Sequence, residues 1–171
     1  MKNTYENMPI KKEIEDAQNK LCLSEKEFTQ VNPNISDEIL DHIESAYFDG
    51  RFSNLQWPWE HIKQEHYSIC FSYDKGFTYL DSLISVNEDV YFIVEEYSSS
   101  PIFWVYKGKI NSIIKIIGEC IGFEYYISPL NYQWLLCENH NSRLIGSGIE
   151  VINKMKELES QLINKGSLEK L

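Results

Sequence analysis

The sequence predicts an α+β fold, with N-terminal helices, a mainly antiparallel sheet in the order ββαβββ, and an amphipathic helix at the C-terminus. Apolar residues recur at helical spacing in residues 1–50 and again near the chain end, while two β-rich runs, "VYFIVEEY" and "PIFWVYKG", are joined by a hairpin-like "SSSP". With 171 residues, 43% of them hydrophobic, the chain can bury a core as a single domain. Within this domain, residues 1–50 are predicted to be helical, residues 66–148 to form the sheet, and residues 149–164 to form the terminal helix.

The N-terminal part has signals for three helices. Pro9 precedes four apolar residues at helical spacing, which predict the first helix: Ile10, Ile14, Ala17 and Leu21. Ser24 and Glu27 have the spacing of a capping box, which predicts a short second helix. In "SDEILDHIESAYFDG", Ser36 is the predicted N-cap of a third helix and Gly50 its stop signal.

The remaining elements follow from residue 66 onwards. "YSICFSYD" has strand character and "GFTYLDSLIS" favours a short helix. The run "VYFIVEEY" is apolar on both faces until its two glutamates, which is typical of a central strand covered on both sides. A helix in "KINSIIKIIGECIG", strands in "FEYYIS", "YQWLLCE" and "RLIGSG", and a final helix capped by Ser147 with Glu150 complete the prediction.

Composition narrows the range of partners. The chain has 26 acidic and 16 basic side chains and a formal net charge of −10. This charge disfavours nucleic acid and anionic membrane surfaces as partners, and it favours a basic protein partner. No apolar run approaches the roughly 20 residues that span a bilayer, and the N-terminus is too polar for a secretory signal.

The four cysteines also indicate the cellular compartment of the protein. Cys22, Cys70, Cys120 and Cys137 form no C-x-x-C pair. Without a secretion signal, we expect reduced and mostly buried thiols in a cytoplasmic protein.

The most chemically suggestive stretch is "YQWLLCENHN", in which a core strand ends in polar residues. If strand pairing persists, Glu138 and His140 share a face, and the carboxylate could orient the imidazole as a general base. Cys137 would face the other side, so the stretch contains no local nucleophile. The alternative is a turn made by Asn139 and Asn141, in which His140 bonds a loop carbonyl.

Several carboxylates lie near the ends of predicted elements. These are Glu95, Glu96, Glu119, Glu124 and Glu138. They could bind a divalent cation or act as an acid–base pair. Acidic residues at strand ends are also ordinary in a protein with so large a negative charge. His61 and His66 are five residues apart, which does not direct two imidazoles at one zinc ion. No phosphate-binding glycine motif is present, so we predict neither a metal site nor a cofactor.

Aromatic residues are the remaining signal for binding. Trp57, Trp59, Tyr125 and Tyr132 lie in two aromatic-rich stretches, and such side chains are common anchors of protein interfaces. Together with Glu95 and Glu96 they form the predicted binding surface, although aromatic residues are also common in cores.

The segments "EEYSSSPIFWVYKG", "GFEYYISPLNYQWLLCENHN" and "IGSG" resemble an uncharacterised family of bacterial proteins of about this length. That resemblance implies no established activity. In size and charge the chain is also similar to immunity proteins that neutralise toxins.

Two functions follow as hypotheses. The favoured one is a cytosolic protein-binding domain, of the immunity or antitoxin type, that uses an acidic, Trp- and Tyr-bearing surface against a basic partner. The alternative is a small hydrolase or metal-assisted enzyme with Glu138 and His140 at its site. Binding is favoured over catalysis because the sequence contains no nucleophile motif, phosphate loop or zinc spacing.

Overall fold

The computed structural model describes residues 9–55, 57–71, 75–96 and 102–166. Within these ranges one antiparallel sheet has the strand order β1-β4-β3-β5-β6-β7-β2. Its strands are β1 (Phe28–Gln30), β2 (His66–Cys70), β3 (Asp89–Glu96), β4 (Ile102–Lys109), β5 (Tyr125–Pro129), β6 (Leu135–Glu138) and β7 (Arg143–Ser147). The helices are α1 (Ile10–Lys20), α2 (Pro33–Tyr47), α3 (Leu80–Leu83), α4 (Ile110–Glu119) and α5 (Ile149–Asn164). Short 3₁₀ segments span Phe52–Asn54, Pro58–His61 and Gly76–Tyr79. The predicted α+β fold is confirmed.

Helices cover both faces of this sheet. On one face, α1, α3, α4 and α5 pack on a core that includes Phe92 and Val94. On the other face, α2 and the short segments Phe52–Asn54 and Pro58–His61 pack on a core that includes Ile93 and Tyr126. Alternate residues of β3 therefore enter different cores, which explains why its sequence is apolar on both sides. The prediction of a covered central strand is confirmed.

The predicted second helix was wrong. Glu27 accepts hydrogen bonds from the amide and hydroxyl of Ser24, at 3.0 and 2.7 Å, so contacts of the capping type do form. The chain then enters β1, where Phe28 pairs with Gly108 of β4. The Phe28 ring is fully buried and stacks on Tyr106, with centroids 5.0 Å apart, so tertiary packing selects the strand.

Helix boundaries differ from the sequence signals in three places. Asn32, rather than Ser36, is the N-cap of α2, and its Oδ1 accepts the Asn34 amide at 3.0 Å. The helix ends at Tyr47, before Gly50. Ser147 is the last residue of β7 and its hydroxyl donates to the Glu65 carbonyl, so it does not cap α5.

The cysteine prediction is also corrected. All four thiols are free, but only Cys137 is buried, Cys120 is half-buried, and Cys22 and Cys70 are exposed. Cys22 follows α1 and Cys70 ends the edge strand β2, positions that leave a side chain open to solvent. Among the described residues, no helix has the length and apolar character needed to cross a bilayer.

Candidate binding site at one end of the sheet

A row of polar side chains crosses three strands where they end. The ladder of β3 and β5 closes with Val94 opposite Tyr125, and that of β5 and β6 closes with Tyr125 opposite Glu138. One residue further, the register brings together Glu95, Glu124 and Asn139, which we call the polar row. The Glu95 amide continues the ladder by donating to the Glu124 carbonyl at 3.4 Å. The members of the row are only 5%, 1% and 3% exposed, respectively.

Glu124 is the centre of this arrangement. Its Oε1 accepts hydrogen bonds from the Trp59 indole Nε1 at 3.2 Å, from the His140 amide at 3.2 Å and from His140 Nδ1 at 2.5 Å. Its Oε2 is buried and has no hydrogen-bond partner among the described residues. Within the described part of the chain, the carboxylate of Glu124 is therefore hydrogen-bonded through Oε1 and not through Oε2.

His140 connects the buried carboxylate to solvent. Half of its side chain is exposed, whereas the side chain of Glu124 is 2% exposed. The imidazole lies beside two indoles, with ring centroids 6.0 Å from Trp57 and 5.9 Å from Trp59. We call Trp57, Trp59 and His140 the aromatic cover.

Glu95 has a perturbed proton affinity. Burial, followed by the negative charge of Glu124, raises the pKa of its carboxyl to about 7. Its Oε2 is buried without a partner in the described part of the chain. Among the same residues, no lysine or arginine forms an ion pair with Glu95 or Glu124. Within that part of the chain, the buried carboxyl groups of Glu95 and Glu124 thus lack a permanently charged lysine or arginine partner, and the imidazole of His140 is paired with Glu124.

Asn139 follows β6 and builds the turn into β7. Its Oδ1 accepts the amides of Asn141 at 3.0 Å and Arg143 at 3.1 Å, and Ser142 follows with a φ of +56°. Its Nδ2 is buried without a partner among the described residues. Strand pairing therefore does not reach His140, so the alternation that would align it with Glu138 stops at Glu138.

Glu138 has different surroundings. Its carboxylate accepts the Gly76 amide at 2.7 Å and the Tyr125 hydroxyl at 2.5 Å. These contacts lie on the face of the sheet that α4 covers, whereas Glu124 shares its face with Tyr126. A cavity of about 320 Å³ is lined by Glu138 and also by Glu124, Asn139 and His140. Phe77, Phe123 and the C-terminal end of α4 contribute to the same lining.

The structure separates the predicted binding residues into groups. Trp57, 39% exposed, and half-buried Trp59 adjoin His140 and the polar row, to which Glu95 belongs. Tyr125 is 1% exposed and lies in the core. Glu96 accepts the Trp104 indole at 2.5 Å, away from the row.

Tyr132 lies at the opposite end of the sheet. It follows β5, and its ring stacks on Tyr91 and His42, with centroids 5.8 and 5.1 Å away. It therefore takes no part in the site that contains the polar row.

The sequence pattern does not predict the pairing of Glu124 with His140. Glu124 was one carboxylate among five, and its only local signal is a position directly before a strand. In the described ranges, no group of three or more His, Cys, Asp or Glu side chains is arranged to hold a metal ion. His61 closes a 3₁₀ segment and His66 begins β2, and both are exposed.

Comparison with known proteins gives one match. A family model described as a family of unknown function, DUF6756, matches residues 6–159. The chain belongs to this family. The match confirms the resemblance to an uncharacterised family, and it includes every residue of the polar row and the aromatic cover. No curated protein and no solved structure matches the chain.

Proposed function

We propose that this chain is a cytosolic binding protein of the immunity or antitoxin type, which neutralises a basic protein by accepting one of its cationic groups at the polar row. The observation that carries the proposal is the pair of buried carboxyl groups, Glu95 and Glu124, with no lysine or arginine paired to them in the described ranges. A positive group from a partner would supply the missing compensation.

Two further properties support this function. The net charge of −10 would attract a basic protein and speed its encounter with the site. His140, which contacts Glu124, and the neighbouring Trp57 then offer partly exposed rings, and tryptophan is among the residues that most often anchor interfaces. Charge would thus guide association, and the aromatic cover would supply contact area.

The test compares three forms of the chain as affinity baits in extracts of the cells that encode it. The wild type and Glu157→Gln should capture the same basic protein, whereas Glu124→Gln should lose it. Glu157→Gln is a matched control because it removes the same charge from an exposed site on α5, across the sheet from the polar row.

The captured protein must then be purified and titrated with each form by calorimetry. We expect Glu124→Gln to weaken binding at least tenfold, since one partner of a buried charge pair is removed. Expression of the partner should inhibit growth, and co-expression of this chain should restore it. A partner that binds both glutamine variants equally well, or whose toxicity is unaffected by this chain, contradicts the proposal.

A second candidate, acid–base catalysis, is favoured by one specific contact. His140 Nδ1 donates to buried Glu124, the arrangement that holds an imidazole ready to take a proton, and Glu95 beside it has a pKa of about 7. In this hydrolase hypothesis Glu124 takes the orienting role that the sequence pattern gave to Glu138. Hydrolysis of chromogenic esters, glycosides or phosphates that falls at least a hundredfold in His140→Ala would support it. A wild-type protein inactive on all three classes would contradict it.

A further inference from the structure

Three buried polar atoms of the polar row have no hydrogen-bond partner among the described residues. They are Oε2 of Glu95, Oε2 of Glu124 and Nδ2 of Asn139. Each belongs to a side chain that is at least nine-tenths buried. Leaving such a buried atom without a hydrogen bond is destabilising, and more so for a charged group. Neighbouring members of one cross-strand row have Cβ atoms about 5 Å apart, close enough for one ligand to contact all three.

The hydrogen-bond donors and acceptors of the polar row indicate which chemical groups a ligand must carry. The two carboxyl oxygens call for hydrogen-bond donors, preferably positive ones, and the amide nitrogen calls for an acceptor. The Asn139 amide orientation is supported by its Oδ1, which accepts two backbone amides. A ligand therefore needs a cationic group with several N–H donors and a nearby carbonyl oxygen.

The aromatic cover suits such a ligand. Trp57 has a φ of +57°, a left-handed conformation that is strained for a side chain of this size. A change in this backbone would relieve strain and move an indole that is already 39% exposed. The Trp57, Trp59 and His140 rings could then stack on a planar cation.

We propose that the polar row binds one arginine side chain of the partner, whose guanidinium donates to Glu95 and Glu124 while a carbonyl of the same partner segment accepts from Asn139. This assignment rests on the proposed function and names the group that the site recognises. Binding requires the aromatic cover to open and close again over the guanidinium.

Arginine is preferred to lysine for three reasons. Its guanidinium has five N–H donors in a planar fork, so it can bind two carboxylates on adjacent strands at once. It keeps its charge when desolvated, whereas a buried lysine tends to lose its proton. Its flat face also stacks on indole rings better than the compact ammonium group does.

The test is a titration followed by NMR with three probes: N-acetyl-arginine methylamide, its lysine analogue, and the uncharged citrulline analogue. We expect the arginine probe to bind with a dissociation constant in the millimolar range and to shift the Trp59 indole and His140 amide signals. The lysine probe should bind about tenfold more weakly, and citrulline should cause no saturable shift. Glu157→Gln should behave as wild type.

Variants separate the proposal from effects on folding. Glu124→Gln and Glu95→Gln should each weaken arginine binding at least tenfold. The conclusion is drawn from a variant that has the same unfolding midpoint as wild type, because its loss of binding cannot result from unfolding. Equal binding of arginine and citrulline, or no shift with arginine, overturns the assignment. If a basic partner still depends on Glu124 while the arginine probe does not bind, the partner-binding function stands and the arginine assignment fails.

Discussion

His140 Nδ1 lies 2.5 Å from Oε1 of Glu124, and this contact joins the turn after β6 to the start of β5. It is one of two bonds between the same residues, because the His140 amide also donates to that oxygen. A half-exposed ring thereby donates to one oxygen of a carboxylate that is almost completely buried.

Replacing His140 with alanine should therefore destabilise the protein although the residue lies at the surface. The backbone bond remains, but the side-chain bond to a charged group is lost, at a cost of about 1–2 kcal/mol. Urea unfolding at pH 7 measures the change. His66→Ala serves as the control, because His66 is exposed and its ring nitrogen bonds a carbonyl two residues away, so its effect should stay within about 0.5 kcal/mol. Equal losses in both variants would contradict the role of the Glu124 contact.

Glu95 should make stability fall as the pH rises. Its pKa is raised from 4.5 to about 7 in the folded protein, so the folded state holds the proton more tightly than the unfolded state does. This contribution is complete below pH 4.5 and is lost as the pH passes 7, a change of about 3 kcal/mol. Glu124 is the charged neighbour, while burial keeps the pKa of Tyr126 and of Cys137 so high that both stay neutral in this range.

The measurement compares unfolding free energies of wild type and Glu95→Gln at pH 5 and pH 8. Glutamine does not titrate in this range. The free energy of unfolding of the variant, relative to that of wild type, should therefore be higher at pH 8 than at pH 5. In Glu157→Gln the difference from wild type should be the same at both. A Glu95→Gln difference that does not change with pH would falsify the assignment.

Gly76→Ala should also be destabilising. An added Cβ would lie 2.5 Å from Oε1 of Glu138, the oxygen that accepts the Gly76 amide, while Oε2 of the same carboxylate accepts the Tyr125 hydroxyl. Moving the carboxylate disturbs both hydrogen bonds, which should cost about 1–3 kcal/mol in urea unfolding.

Gly118→Ala is the control, because its stability should change in the opposite direction. A Cβ there would meet Phe77 at an ordinary 3.7 Å, and alanine is the better residue within α4. This variant should be neutral or more stable, by up to about 1 kcal/mol. Loss of stability in both alanine variants would show that close approach to Glu138 is not the cause.

The cysteines should react with a thiol reagent in order of exposure. Cys22 and Cys70 should be labelled first, and Cys120 more slowly, because burial raises the pKa of its thiol to about 12. Cys137 is buried, and burial keeps its thiol pKa far above the usual range, so it should react only after unfolding. Mass spectrometry of timed samples at pH 8 tests this order, and early labelling of Cys137 would contradict it.

Much of the fold could be predicted from local patterns, and the exceptions have a common cause. The apolar spacing around Ile14 and Met155 identifies their helices, since periodicity is a local property. Phe28 enters a strand despite a helical signal, because Tyr106, far along the chain, stacks on its ring. Local signals cannot report such contacts.

The candidate site shows the same division. The sequence by itself determined that carboxylates would lie near the ends of predicted elements, that Trp57 and Trp59 belong to an aromatic-rich stretch, and that the chain is strongly acidic. The tertiary structure decided which of them meet: the antiparallel register of β3, β5 and β6 aligns Glu95, Glu124 and Asn139, and the turn at Asn139 directs His140 to Glu124. Strand order and register depend on contacts between distant segments, whereas hydrophobic periodicity reports only whether each segment is a helix or a strand.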